Sequence, residues 1–397
     1  MKLRSRLKEL VPVCVYSSFL SSNPAHGKRR SPIARERGVI LIAVLLIVAI
    51  VAGLGIKFAS QYQLGLARAE SRWHGTQARQ FLEGTEEVAK LLFPEADLDP
   101  NTDYLGEPWN NPVPIEEEGV TGVAQLMDAT SQLNLNDLGD ALVGDKPIGS
   151  PERYKEPQRR FIRLLQSFPE LPISQQDAEG LLEAIVDWID PDDNESGMYG
   201  AESNYYQGLA DPYLAANALF KSVDELRLVR GFNENPELVN VLLPFITVLP
   251  GNAVGININT IEATINQETA NGIQQRANNL IRSLGGVNDL TPLSDEDAVQ
   301  FMSMRPETGF PDNGVLIEEW TKIFGDRNLD GTGLNLKSGF FWLNASVQMG
   351  DQRRSMRSLM LRGEENKLKV IQREDVYELP RVVNTKEKKK SSSLFSN

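Results

Sequence analysis

The stretch "RERGVILIAVLLIVAIVAGLGIKFAS", residues 35–60, constrains this chain more than any other. No charged residue falls between Val39 and Ile56, and a helix of that length rises roughly 27 Å, close to the hydrocarbon thickness of a bilayer. One membrane span over 39–56 is the expectation. Lys28, Arg29, Arg30, Arg35 and Arg37 precede it. Basic flanks stay on the cytoplasmic side, so the body of the chain is expected on the far side, and a plain signal anchor explains this much equally well. A secretory signal would end in small residues at a cleavage site, whereas here a helical pattern continues. Ala78, Phe81, Leu82, Val88, Leu91 and Leu92 recur at i, i+3 and i+4 spacing until Pro94. The pattern predicts a single helix from Val39 to Phe93, about 80 Å long, part in lipid and part amphipathic.

Charge separates the two sides of this span. Of 41 Lys and Arg, nine fall within the first 38 residues, with only two of the 54 Asp and Glu. That leaves 32 basic against 52 acidic residues beyond them, a net charge of about −20. Such a field repels phosphate backbones, so no nucleic acid is expected as a partner. The only histidines are His26 and His74, and the only cysteine is Cys14. That removes most metal and nucleophile chemistry, since no CxxC, HExxH or Cys/His pair can be assembled, and the chain after residue 38 can form no intrachain disulfide.

Residues 94–122 are punctuated by Pro and Gly and read as a surface loop. Two short strands are expected around Val123–Met127 and Gln132–Leu135. The period then changes to helical in 159–168, 174–190, 212–220, 222–232, 236–246, 261–284 and 294–304. Ser174, Ser222, Asn259 and Ser294 suit amino-terminal caps, and Asn259 with Glu262 has capping-box spacing. Strands return in 339–350, 354–363 and 367–374, where Phe341, Leu343, Ala345 and Val347 alternate with Trp342, Asn344 and Ser346 as in a half-buried strand. The economical fold is α+β: a long amino-terminal helix packed on a small antiparallel sheet, with a large all-helical insertion. The expected parts are 1–38 ahead of the span, 39–56 in the membrane, 57–138 and 306–384 forming the sheet domain, and 139–305 as the insertion. Residues 385–397 carry too little apolar surface to fold and are expected to be a disordered tail.

"DWIDPDDNESGMYGAESNYY" is the densest chemical signal. Asp187, Asp190, Asp192, Asp193, Asn194, Glu195 and Glu202 crowd oxygen-bearing side chains into one short segment. Calcium takes six to eight hard oxygen ligands from flexible loops, and without a cation these carboxylates repel one another. An EF-hand does not fit, since Glu195 stands where Gly is needed and Ala201 where a bidentate Glu is needed. On the residues alone, a solvated acidic loop fits equally. A glycosidase acid and base pair is disfavoured, because all the carboxylates lie in one loop with no apolar pocket to separate their pKa values. The segment "TVLPGNAVGININT" has the flavour of a phosphate-contacting helix-hairpin-helix, but its acidic surroundings favour a packing unit. Asn257 and Asn259 read as turn and cap residues.

A basic leader, a Gly, then a long half-apolar helix resembles the type IV pilins and type II secretion pseudopilins. The resemblance implies a prepilin-peptidase cut between Gly38 and Val39, with residues 1–38 as cytoplasmic leader and methylation of the new amino terminus at Val39. Most such subunits carry Glu at the fifth mature position; here it is Ala43. A lipid-buried carboxylate is costly unless paired, so its lack suits a subunit with none ahead of it. In the family this marks the K-type minor pseudopilin, placed at the filament tip. Gly200, Ala201, Glu202, Tyr205, Pro212, Tyr213, Ala216, Asn217, Glu225, Leu226, Val229 and Gly231 match that type's signature region, and Ile256, Asn257, Asn259 and Thr260 match its "INxNT". The resemblance implies calcium in the acidic loop but not its individual ligands; among the oxygen-bearing side chains there, Asp190, Asp192, Asp193 and Glu202 are the first candidates, with Asn194 and Glu195 behind them. It further implies I- and J-type minor pseudopilins, the prepilin peptidase and the inner membrane as partners. Export of folded proteins across the outer membrane is the implied role, without catalysis. A minor pilin of a type IV pilus and a membrane-anchored, calcium-binding periplasmic hydrolase are the alternatives.

Overall fold

The computed structural model describes residues 33–95, 98–117, 119–269, 272–350 and 352–376. The expected leader through residue 32 and the expected tail 385–397 lie outside the described residues. The chain divides into two units, 1–69 and 70–397.

In the first unit the described backbone is one helix, the beginning of α1 (Ile33–Glu95). It runs unbroken through the Gly38–Val39 bond. Every side chain from Val39 to Ile56 is exposed. Among the described residues α1 is the one helix long and apolar enough to cross a membrane. In lipid the backbone must satisfy its own hydrogen bonds, which favours helix even across this Ile- and Val-rich run.

In the second unit α1 turns amphipathic. Ala78, Leu82 and Phe93 are buried against Phe341, Leu343, Ala345 and Val347 of a five-stranded antiparallel sheet. Its strands are β1 (Val113–Glu117) and β2 (Val120–Asp128), then, after the insertion, β9 (Phe340–Met349), β10 (Gln352–Arg362) and β11 (Leu368–Val376), in the order β1-β2-β9-β10-β11. Glu86 of α1 is buried, and Arg373 of β11 donates to its two oxygens at 2.8 and 2.7 Å while Ser358 of β10 donates at 2.6 Å. A helix acid satisfied by two strands fixes the rotation of α1 on the sheet.

Between β2 and β9 the chain builds the insertion: β3 (Leu133–Asn134), α2 (Glu156–Leu165), α3 (Gln175–Ile189), α4 (Ser203–Gln207), α5 (Pro236–Leu242), β4 (Ile246–Thr247), β5 (Ile256–Asn257), β6 (Thr264–Thr269), β7 (Gly272–Ala277), α6 (Asn279–Arg282), α7 (Asp295–Ser303), α8 (Asn313–Phe324) and β8 (Leu334–Asn335). One core links it, from Leu133 to Leu334, with Phe161, Leu182, Phe301 and Trp320 fully buried. Ser174 and Ser294 accept from Asp177 and Asp297 backbone N–H groups at the starts of α3 and α7, and Ser222 caps a 3-10 turn at 223–228.

Four expectations change. The insertion is not all-helical: β3 pairs with β4 and β5 with β8, both parallel, and β6 pairs with β7 as an antiparallel hairpin. Residues 264–277 therefore form strands where a helix was expected. Asn259 caps no helix; its side chain accepts from Phe310 N at 2.7 Å and donates to Phe310 O at 3.0 Å. Residues 212–220 are irregular, because Asn217 adopts φ 44° and Asn136 takes Phe220 N by its side chain at 2.7 Å. Finally, the insertion core extends past residue 305 through α8, which Asp312 caps by accepting from Val315 N at 3.0 Å.

β9 also departs from half-burial. Trp342, Asn344 and Ser346 are buried as well as their alternating neighbours, because the insertion covers the face opposite α1.

Candidate metal centre in the insertion

Helix α3 puts Ala178, Leu182, Ile185 and Ile189 on its core face and ends at Asp190. Asp187 and Asp190 thus lie at the carboxyl end, where the helix dipole disfavours anions. The following loop folds back on the same helix. Ser196 N donates to the two Asp187 oxygens at 2.9 and 3.1 Å, and Met198 N and Tyr199 N donate to Glu183 Oε2 at 3.0 and 2.9 Å. Two glycines permit this approach. Gly197 has φ 72°, and a Cβ on it would collide with the Glu183 carboxylate; a Cβ on Gly200 would collide with Asp187.

The fold-back brings Glu202, just before α4, to the end of α3. One carboxylate oxygen from each of Asp190, Asp192 and Glu202 lies within 4.8 Å of the others. Glu202 is only 1 % exposed, yet neither of its oxygens has a hydrogen-bond partner among the described residues. Asp190 Oδ1 is likewise buried without a partner. Burial, and after it the charges of Asp187, Asp190, Asp193 and Asp192, push the Glu202 carboxyl up to about 7. Burial, then Asp187 and Asp192, push Asp190 up to about 6. Carboxylate oxygens buried without a donor, as on Glu202 and Asp190, are the electrostatic complement of a hard cation.

The other candidates take secondary places. Asn194 donates to Asp192 Oδ1 from its backbone N at 2.8 Å and its side chain at 2.7 Å. Asp193 Oδ1 accepts from Asn217 Nδ2 at 3.3 Å. Glu195 is exposed and outside the three-carboxylate cluster. Asn217 is the residue that sequence reasoning did not single out as a ligand: its Nδ2 also donates to Asp192 O at 3.1 Å, and its buried Oδ1 has no partner. Its signal in sequence is its place in the signature match, within a region read as helix. Beneath the loop, Trp188 packs edge-on against Tyr206 and stacks on Phe220.

Comparison with known proteins follows this geometry. The family model of type II secretion system (T2SS) protein K matches residues 131–251. A type II secretion system protein K of Aeromonas hydrophila is 31 % identical over 348 residues, covering 85 % of this chain and 97 % of that protein. The protein K of Pseudomonas aeruginosa is 28 % identical over 348 residues, 85 % of this chain and 92 % of that one. A chain from the crystal structure of the GspK-GspI-GspJ complex of enterotoxigenic Escherichia coli shares the fold, with a TM-score of 0.63 at 22 % identity over 78 % of this chain and 100 % of that chain. With a membrane-length helix, a sheet packed on its continuation and a large insertion between β2 and β9, the chain belongs to the type II secretion system protein K family.

Proposed function

We propose that this minor pseudopilin occupies the tip of a short periplasmic filament and supports export of folded proteins across the outer membrane, in a structural rather than catalytic role. The observation that carries the reading is the match over nearly the whole length of a protein K. Ala43 supports the tip position, since a carboxylate in lipid is costly without a partner and a terminal subunit has none to meet. The bulk of the insertion would crowd a filament shaft. α1 anchors the chain in the inner membrane by one pass, with the acidic body in the periplasm and prepilin peptidase cutting between Gly38 and Val39. Because the solved neighbour is a complex of GspK with GspI and GspJ, I- and J-type minor pseudopilins are the partners. Co-purification of the tagged, detergent-extracted chain with both is expected. Recovery of the chain alone from cells expressing them would overturn the assembly.

The same reading gives calcium to the acidic cluster. Asp190, Asp192 and Glu202 would hold it, with Asn217 and Asp193 supplying further oxygens. The fit rests on buried oxygens without partners on Glu202, Asp190 and Asn217. Calcium would neutralise the repulsion at the end of α3 and lock the loop onto the insertion. Asp192→Ala should lower the melting temperature in calcium, while chelator-treated wild type and variant melt alike. Equal melting of the wild type with calcium and with chelator would exclude the site.

A further inference from the structure

A second polar cluster lies away from the acidic loop, in a crevice of about 710 Å3 between the sheet face and the insertion. Arg357 of β10 stacks over the ring of Trp342 of β9, its guanidinium carbon 4.1 Å from the ring centroid. Arg357 Nε donates to Asn344 Oδ1 at 3.2 Å, and Asn344 Nδ2 in turn meets Met127 Sδ at 3.0 Å, which holds the guanidinium in place. Beyond that bond, the two terminal nitrogens of Arg357 have no acceptor among the described residues. Glu374 is its cross-strand partner on β11, but Glu374 Oε1 accepts from Gln372 Nε2 at 2.8 Å and forms no ion pair with Arg357. The Trp342 indole N–H is also buried without an acceptor. Burial disfavours the Arg357 cation, and the Glu374 charge opposes this only in part.

A partly buried guanidinium, stacked on an indole and with its forked donors free, is shaped to receive a carboxylate in a two-point contact. Val223, Leu243, Val248 and Ile265 give the same crevice apolar lining, and its volume is far more than one small ion needs. Lys221 adds a positive charge, while the four acids of the lining, Asp128, Asp224, Glu262 and Glu374, outnumber the two bases and confine any anion to a single carboxylate held on Arg357. We infer that this crevice binds an acidic peptide segment, with one carboxylate on Arg357 and an apolar neighbour against Val223, Leu243 and Ile265. The site stands independently of the calcium cluster and of the filament position.

The test is a tryptophan-fluorescence titration of the full chain in detergent with two capped tripeptides, acetyl-Leu-Glu-Leu-amide and acetyl-Leu-Gln-Leu-amide, and with acetate alone. The Glu peptide should give a saturable change that weakens with salt, and the Gln peptide should bind about tenfold or more weakly, because a neutral amide forgoes the charge-assisted contact. Arg357→Gln should abolish the preference, Arg357→Lys should keep part of it, and Trp342→Phe should remove the signal. Equal affinity for the two peptides, or no saturable response, overturns the inference even if Arg357→Gln does not fold. Acetate binding as tightly as the Glu peptide would also overturn it, leaving a small-anion pocket.

Discussion

Arg362 Nη1 donates to both carboxylate oxygens of Asp103, at 2.8 and 2.7 Å, and both side chains are buried. The pair joins the segment after α1 to the end of β10, and Asp103 Oδ2 also accepts from Ser338 N at 2.6 Å where the chain leaves the insertion. Removing one partner strands a buried charge. Arg362→Met should destabilise the second unit by about 3 to 5 kcal/mol, and pairing it with Asp103→Asn should restore part of that loss. Denaturant unfolding of the single and double variants gives the comparison.

Asp128 is buried at the end of β2 and accepts from Thr130 N and Oγ1, Ser338 Oγ and Thr260 Oγ1, with no cation among these partners. Burial, opposed by these donors, pushes its carboxyl up to about 6. The folded-state pKa lies above the unfolded value of 3.8, so the folded state holds the proton more tightly and this group's contribution falls as pH rises from about 4 to about 6. Asp128→Asn should remove that slope. Chemical denaturation at a series of pH values reads it, and an unchanged slope in the variant would assign the dependence elsewhere.

Glu202 gives the larger window. Its carboxyl shifts from 4.5 to about 7, so in chelator the insertion should lose stability as pH rises between those values. Calcium should flatten the decline, because a bound cation replaces the proton. Glu202→Gln should be more stable than wild type in chelator at pH 8 and indifferent to calcium. Melting curves with and without the ion at pH 5 and pH 8 provide the check.

Gly197 holds φ 72° with the Glu183 carboxylate against its missing side chain. Ala there meets both strain and collision, and Gly197→Ala should cost about 1 to 3 kcal/mol while weakening any calcium response. Gly331, which has no atom near a would-be Cβ, is the control, and Gly331→Ala should stay within about 0.5 kcal/mol of wild type.

Local rules read much of this fold. The charge-free run above the basic flank, the i, i+4 apolar face at Ala78 and Leu82, the Ser caps of α3 and α7, and the alternation of β9 all report short-range physics, and each corresponds to an element. What sequence misread was decided at longer range. Residues 261–284 look helical by composition, but Thr264–Thr269 pairs with Gly272–Ala277 as an antiparallel hairpin. β1 read as loop because Pro114 and its acidic end hide a strand that exists through pairing with β2. In the acidic loop the sequence put Asp190, Asp192, Asp193 and Glu202 first, and the fold gathers three of them, Asp190, Asp192 and Glu202, whereas the part of Asn217 depends on a turn that returns the chain to Asp192.

The amino terminus tests the central claim most directly. Mass spectrometry of the chain extracted from membranes, from cells with and without prepilin peptidase, should find a methylated Val39 terminus only where the peptidase is present. A chain that keeps its leader in both strains, or one cut beyond Ile56, would contradict assembly as a pseudopilin.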